Sequence, residues 1–216
     1  EKIKDPKESI WTQAEEFVYY NALATGVDPL DALRSSDLRS RLNNEDIGIQ
    51  KVAKLELNEM RLTIVDWLLE KINDQSDERN DDYFGVLMRI QGNEYGVTTG
   101  RPRRNGHQDL TSLDYAVKHT NPHLIALTKL DVLSGIDKLK VCVGYELDGQ
   151  LYANSEEIEA LGLMPSSEEE RARVNPIYVE VDGWNRDALN KLESKSLKEL
   201  KEKVPNAYNY LQLIAD

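Results

Sequence analysis

Cysteine is almost missing from this chain: Cys142 is the single thiol in 216 residues. That excludes an internal disulfide and a thiolate metal cluster, and points to a reducing, cytoplasmic setting. Long apolar runs are missing too. No stretch approaches the ~20 residues a membrane span needs, so no membrane partner is expected. The opening EKIKDPKESIW lacks the apolar core of a signal peptide. It starts at Glu1 rather than Met, which suggests a chain trimmed or excised from something longer. Histidine is scarce. His119 and His123 are four apart but separated by Asn121-Pro122, which breaks helical register, so they read as loop residues rather than a metal pair. Basic residues are outnumbered 39 to 27, for a net charge of −12, and no nucleic-acid partner is expected. No internal repeat is present.

What remains is enough for a packed protein, since 40% of residues are apolar. The acidity is uneven. Residues 1–83 carry 11 Lys+Arg against 19 Asp+Glu, 84–150 carry 8 against 7, and 151–216 carry 8 against 13. Only the middle third escapes it.

From Ser9 to about residue 75 the apolar spacing is helical. Ile10, Ala14, Phe17, Val18 and Asn21 define a first helix, with Ser9 as N-cap and Gly26 as stop. Asp28-Pro29 opens a second, short one through Leu30, Ala32, Leu33, Leu38 and Leu42. Ala53, Leu57, Met60, Ile64, Trp67 and Ile72 mark a third. Such stripes pack against one another or bind a partner; packing is the simpler reading. The polar run NDQSDERNDD then reads as a linker.

After it the period changes. Leu124–Leu127, Leu139–Val143 and Pro176–Glu180 are short β-prone runs, and a helix through Leu110, Leu113, Ala116 and Val117 precedes the first. Residues 154–173 form an acidic surface segment, and 195–214 two short helices broken at Pro205. The expected organisation is a helical segment over 1–75, a polar linker over 76–83, and an α/β region over 84–216. Its fold class is α/β, a mostly parallel sheet with flanking helices.

Two motifs carry chemistry. Asn93–Gly106 packs three glycines, two threonines and three arginines into fourteen residues. Glycine permits positive φ and close backbone approach, threonine supplies hydroxyls, and arginine a planar fork matched to carboxylate or phosphate. Pro102 stiffens the backbone between Arg101 and Arg103. An anion-binding loop is the reading; a solvated basic loop is the bland alternative. The second motif is Thr128-Lys129-Leu130-Asp131. A strand ending in T-K-x-D looks like the guanine-specificity element of GTP-binding proteins, where a carboxylate accepts from the ring N1–H and the exocyclic amino group. Adenine lacks that donor pair and would leave the carboxylate unpaired. A strand-end cap is the alternative. Cys142 reads as a core residue, and Trp184 as either a loop anchor or a base-stacking ring.

EYGVTTGRPRR, followed by ALTKLDVLSGIDKLKVCVGYELDG and later by PIYVEVDGW, resembles the C-terminal half of adenylosuccinate synthetases over roughly residues 84–213. The resemblance implies a P-loop-NTPase-like fold and a GTP-dependent ligase coupling IMP and L-aspartate in purine nucleotide biosynthesis, with Mg²⁺ and a homodimer. Residue by residue it implies that Val97 to Arg103 form the loop closing on L-aspartate, with Thr98, Thr99 and Arg101 on its carboxylates and Gly100 within its turn. Arg101 would also face IMP and Arg103 the GTP; Lys129, Leu130 and Asp131 would bind guanine.

The departures matter equally. The family's G-D-E-G-K-G-K phosphate loop, with its catalytic aspartate and metal contact, has no counterpart here, nor have its histidine-bearing segment and late S-T-G-P element. His107-Gln108 stands where a tryptophan is usual. The expectation is therefore no catalytic residue or metal ligand in these 216 residues and no catalysis by the chain alone. It reads either as part of a larger enzyme or as an inactive homologue that binds nucleotide or a protein partner.

Overall fold

The computed structural model describes residues 13–74, 76, 78–152, 168–194 and 196–215. Two compact units divide between Gly106 and His107.

The first unit is helical. α1 (Gln13–Thr25) stops at Gly26, whose φ of +73° is cheap only for glycine. The expected cap Ser9 and the stripe residue Ile10 lie outside the described residues. The second predicted helix is two: α2 (Pro29–Ser35) and α3 (Leu38–Leu42). Asp28 caps α2 through the Asp31 N–H at 3.1 Å, and the break comes where the Ser36 hydroxyl accepts the Leu38 N–H at 3.3 Å. α4 (Ile47–Asn73) begins at Asp46, whose carboxylate accepts from the amides of Gly48 and Ile49. The stripe predicted for it is real: Ala53 and Ile64 are fully buried, and Leu57 and Met60 pack against the Ala14–Val18–Leu38 cluster.

The polar run is a shorter break than expected, because α5 (Asn80–Gly92) starts inside it. Tyr83, Leu87 and Ile90 recur at helical spacing and are buried, and that face seats α5 against α4. Trp67 and Tyr83 meet edge to face at 5.3 Å on this seam. The boundary observed after Gly106 thus leaves the linker, α5 and the arginine loop with the helices.

The second unit is α/β. β2 (Lys138–Leu147) is its spine. β1 (Gln108–Asp109) pairs with it in parallel, while β3 (Gln150–Tyr152) and β4 (Val174–Asp182) pair antiparallel, β4 through a bulge between Cys142 and Gly144. Asp148 and Gly149, both at positive φ, make the tight turn from β2 to β3. Around the sheet lie α6 (Leu110–Thr120), α7 (Glu168–Arg173), α8 (Leu197–Lys203) and α9 (Pro205–Ala215). The α/β class with flanking helices agrees with the sequence. So do the strands at 139–143 and 176–180, and the helix break at Pro205. Among the described strands, however, only β1 runs parallel to β2, against the mostly parallel sheet expected. Most of the acidic 154–173 segment lies outside the described residues.

One predicted strand is absent. Leu124–Leu127 is irregular and solvent-facing, with Leu124 90% exposed. A β-prone run gains from extension only by pairing on a sheet, and among the described residues no strand pairs with it.

Candidate functional site

The arginine loop is a closed frame with an exposed tip. α5 ends at Asn93, in left-handed conformation, and Tyr95 bridges to Pro102. Inside that bridge the Gly96 N–H donates to the Arg101 carbonyl at 2.8 Å and the Gly100 N–H to the Gly96 carbonyl at 2.7 Å, and just outside it the Arg103 N–H donates to the Glu94 carbonyl at 3.0 Å. Two glycines make this possible. Gly100 has φ +64°, and a Cβ on Gly96 would lie 2.6 Å from the Thr99 Oγ1. Val97, Thr98, Thr99 and Arg101 are consequently presented outward, Val97 98% exposed. The Thr99 hydroxyl accepts weakly from the Arg101 amide at 3.4 Å. Two hydroxyls and a guanidinium on a rigid backbone are suited to a small carboxylate ligand. Arg103 is engaged: its Nη1 pairs with the Glu94 Oε2 at 3.0 Å.

Beneath the frame is a buried carboxylate. Glu16 is 1% exposed; its Oε1 accepts from both Nε and Nη2 of Arg89, and its Oε2 from the Tyr95 hydroxyl at 2.8 Å. Burial, then the adjacent Glu16 charge, push the Tyr95 hydroxyl far above its ordinary pKa, so it stays a donor.

Lys129, Leu130 and Asp131 lie in the other unit, and each piece of geometry stands by itself. Without the expected strand, T-K-x-D opens a single 3-10 turn (Leu130–Leu133). Lys129 takes φ +61°, uncommon for a residue with a Cβ, and its carbonyl accepts the Val132 N–H at 3.1 Å. Val132 and Ser134 are buried, Leu130 half-buried, and the side chains of Lys129 and Asp131 exposed. What holds this turn is Trp184. Its indole N–H donates to the Ser134 hydroxyl at 2.8 Å, and its carbonyl accepts from the Gly135 amide. Its ring is buried against Tyr210, so Trp184 is a loop anchor, the simpler of its two readings.

The remaining candidates resolve into structure. Cys142 is buried in the sheet, and burial raises its thiol pKa. His119 ends α6 rather than lying in a loop, with Nδ1 2.9 Å from the Tyr115 carbonyl. His107 packs edge-on to Tyr178. Among the described residues no group of three or more His, Cys, Asp or Glu converges as a metal site, and no helix is long and apolar enough to cross a membrane.

Residues 74–216, containing the loop, the T-K-x-D turn and the Trp184 anchor, match the family profile described as Adenylosuccinate synthetase. The chain belongs to the adenylosuccinate synthetase family. The chain is 40% identical over 135 residues to the adenylosuccinate synthetase of Clostridium botulinum (strain Eklund 17B / Type B), covering 62% of this chain and 28% of the relative. The enzyme of Aquifex aeolicus is 40% identical over 132 residues, 61% and 27% of the two chains. The fully ligated adenylosuccinate synthetase of Plasmodium falciparum superposes with a TM-score of 0.52 at 34% identity, over 62% of this chain and 29% of its own. The chain thus spans under a third of the length of these relatives. The synthetase match begins at residue 74, so it takes in α5 and leaves α1 to α4 outside.

Two participants escaped sequence reasoning. Glu16 looks like half of an exposed Glu15-Glu16 pair, and Arg89 like a surface helix residue. The only available signal was Tyr95, an aromatic beside the glycine loop.

Proposed function

We propose that this chain supplies the L-aspartate-binding loop and the guanine-recognition segment of a GTP-dependent ligase that joins IMP and L-aspartate to adenylosuccinate. The observation that carries this reading is the outward set of Thr98, Thr99 and Arg101 on a backbone closed by three hydrogen bonds. Thr98, Thr99 and Arg101 hold the aspartate carboxylates, with Arg101 also toward IMP. This fixes the aspartate amine for attack at the base and saves it orientational entropy. Arg103 balances charge on the GTP phosphates, and Asp131, with the Lys129 stem along the ring, selects guanine. Mg²⁺, a homodimer and a cytoplasmic setting accompany the reading. The described residues form no cluster of three or more carboxylates, histidines or cysteines that would fit Mg²⁺.

Calorimetric titration of the chain with GTP, ATP and L-aspartate tests it. The expected result is GTP and L-aspartate binding with ATP weaker by tenfold or more. Equal affinity for ATP, or no binding of GTP at millimolar concentration, overturns it.

A second reading, an inactive homologue serving as a protein-interaction module, is favoured by α4. Val52, Leu55 and Leu62 share one face of that helix and are each more than half exposed. Leu55→Glu with Leu62→Glu leaves GTP binding intact under either reading, but abolishes partner capture only under this one.

A further inference from the structure

α1 lies wholly outside the family-matched region, yet its polar contacts at Gln13 and Glu16 go to the foot of the arginine loop. At its first residue, the Gln13 N–H donates to the Gly100 carbonyl at 3.1 Å and its side-chain amide to Asn93 Oδ1 at 3.0 Å. One turn on, Glu16 holds Arg89 of α5 and the Tyr95 hydroxyl. Phe17 sits under the Tyr95 ring, with centroids 6.4 Å apart. α4, outside the match as well, adds a bond from Arg61 to the Gln91 carbonyl near the end of α5. Asn93, Tyr95 and Gly100 are therefore held from one side by a helix that the family part does not supply.

We propose that Glu16 is a positioning residue for the 96–103 loop. Its carboxylate has two oxygens with different tasks. Oε1 satisfies Arg89 and so fixes where α5 ends; Oε2 satisfies Tyr95 and so fixes where the loop begins. Because the carboxylate is buried, neither task can pass to water without a large penalty, and the two ends of the link move together. Tyr95 in turn bridges to Pro102, so the orientation of Arg101 and Arg103 is transmitted from Glu16 through two contacts. A carboxylate at this place in a helix lacking the link would simply turn to solvent. The identity of the loop's ligand, L-aspartate, rests on the proposed function; the positioning itself does not.

Amide hydrogen exchange on the whole chain decides it, with Glu16→Gln as the main variant and Gln13→Ala as a milder one. Glu16→Gln is expected to speed exchange at Gly96, Gly100 and Arg103 at least tenfold while the amides of Leu68 in α4 and Leu87 in α5 stay within twofold. Gln13→Ala should act at the same three amides more weakly. Unchanged loop amides, or equal acceleration throughout the helical unit, overturn the proposal, and Tyr95→Phe, which removes only the hydroxyl that donates to Glu16 Oε2, is the deciding variant if Glu16→Gln does not fold. In parallel, Glu16→Gln should weaken L-aspartate at least tenfold without altering the preference for GTP over ATP. If the parent chain binds no L-aspartate, the ligand assignment fails while the exchange result still decides the role of Glu16.

Discussion

Arg103 and Glu94 are joined twice: backbone N–H to backbone carbonyl and guanidinium to carboxylate, each at 3.0 Å. The side-chain pair is partly solvated, so it is a weak, salt-sensitive link that an incoming phosphate can displace. Glu94→Gln should leave the loop folded and tighten GTP severalfold, more at low salt. Arg103→Ala should weaken GTP and ATP alike. Calorimetry at two salt concentrations reads both effects, and an Arg103→Ala change confined to GTP would remove Arg103 from the phosphate side.

Base choice is assigned to a different residue. Asp131→Ala is expected to erase the preference for GTP over ATP while leaving the 3-10 turn in place, because the turn uses the Asp131 carbonyl and not its carboxylate. Retained selectivity in competition titrations rules out the guanine assignment.

The turn's stability is set from behind. Ser134→Ala strands the buried Trp184 indole N–H, at a cost of about 1–3 kcal/mol. Gly183→Ala is harsher, since its Cβ would lie 1.7 Å from the Ile136 carbonyl oxygen. It is expected at or above the ~3 kcal/mol upper end of overpacking. Urea denaturation followed by tryptophan fluorescence ranks the two.

Gly100→Ala meets no steric neighbour and only a backbone penalty, about 1–2 kcal/mol at φ +64°. Gly96→Ala instead displaces Thr99. The first should lower stability with a modest loss of L-aspartate affinity. The second should lose affinity with little change in the unfolding midpoint.

Acid should loosen the start of α8. Glu199 accepts from Glu193 and Ser194 backbone amides and from Lys203, the Lys203 contact first among the causes that hold its carboxyl well below the ordinary range near 4.5. A depressed folded pKa means the stabilisation is complete above the unfolded value and is lost as pH falls toward the folded one. Glu199→Gln should be less stable at neutral pH and flatter below pH 4.5 in a denaturation series, a difference that vanishes if the carboxylate contributes nothing.

What could be read in advance followed from local rules. Gly26, Asp28 and Pro205 punctuate helices through their own backbone chemistry, and the stripe from Ala53 to Ile72 states its buried face by spacing alone. Leu124–Leu127 misled because strand formation depends on a neighbour that spacing cannot supply. α5 was hidden by its first three residues, Asn80-Asp81-Asp82, which favour a helix start as much as a linker. The loop residues were legible as chemistry; Glu16 was not, since burial of one carboxylate depends on an arginine 73 positions away.

The seam at residue 74 has a practical corollary. It passes between α4 and α5, which pack on each other and carry the fully buried Ile64, Leu68, Leu87 and Ile90. Cutting there would leave a greasy flank and an orphaned Arg89, so residues 74–216 expressed alone should clump, whereas a cut before α1 preserves the joint. The family match and the packed unit do not share a boundary in this chain: the matched portion is stitched to its neighbour through shared interior, and any transplant of the loop has to carry the helix that braces it.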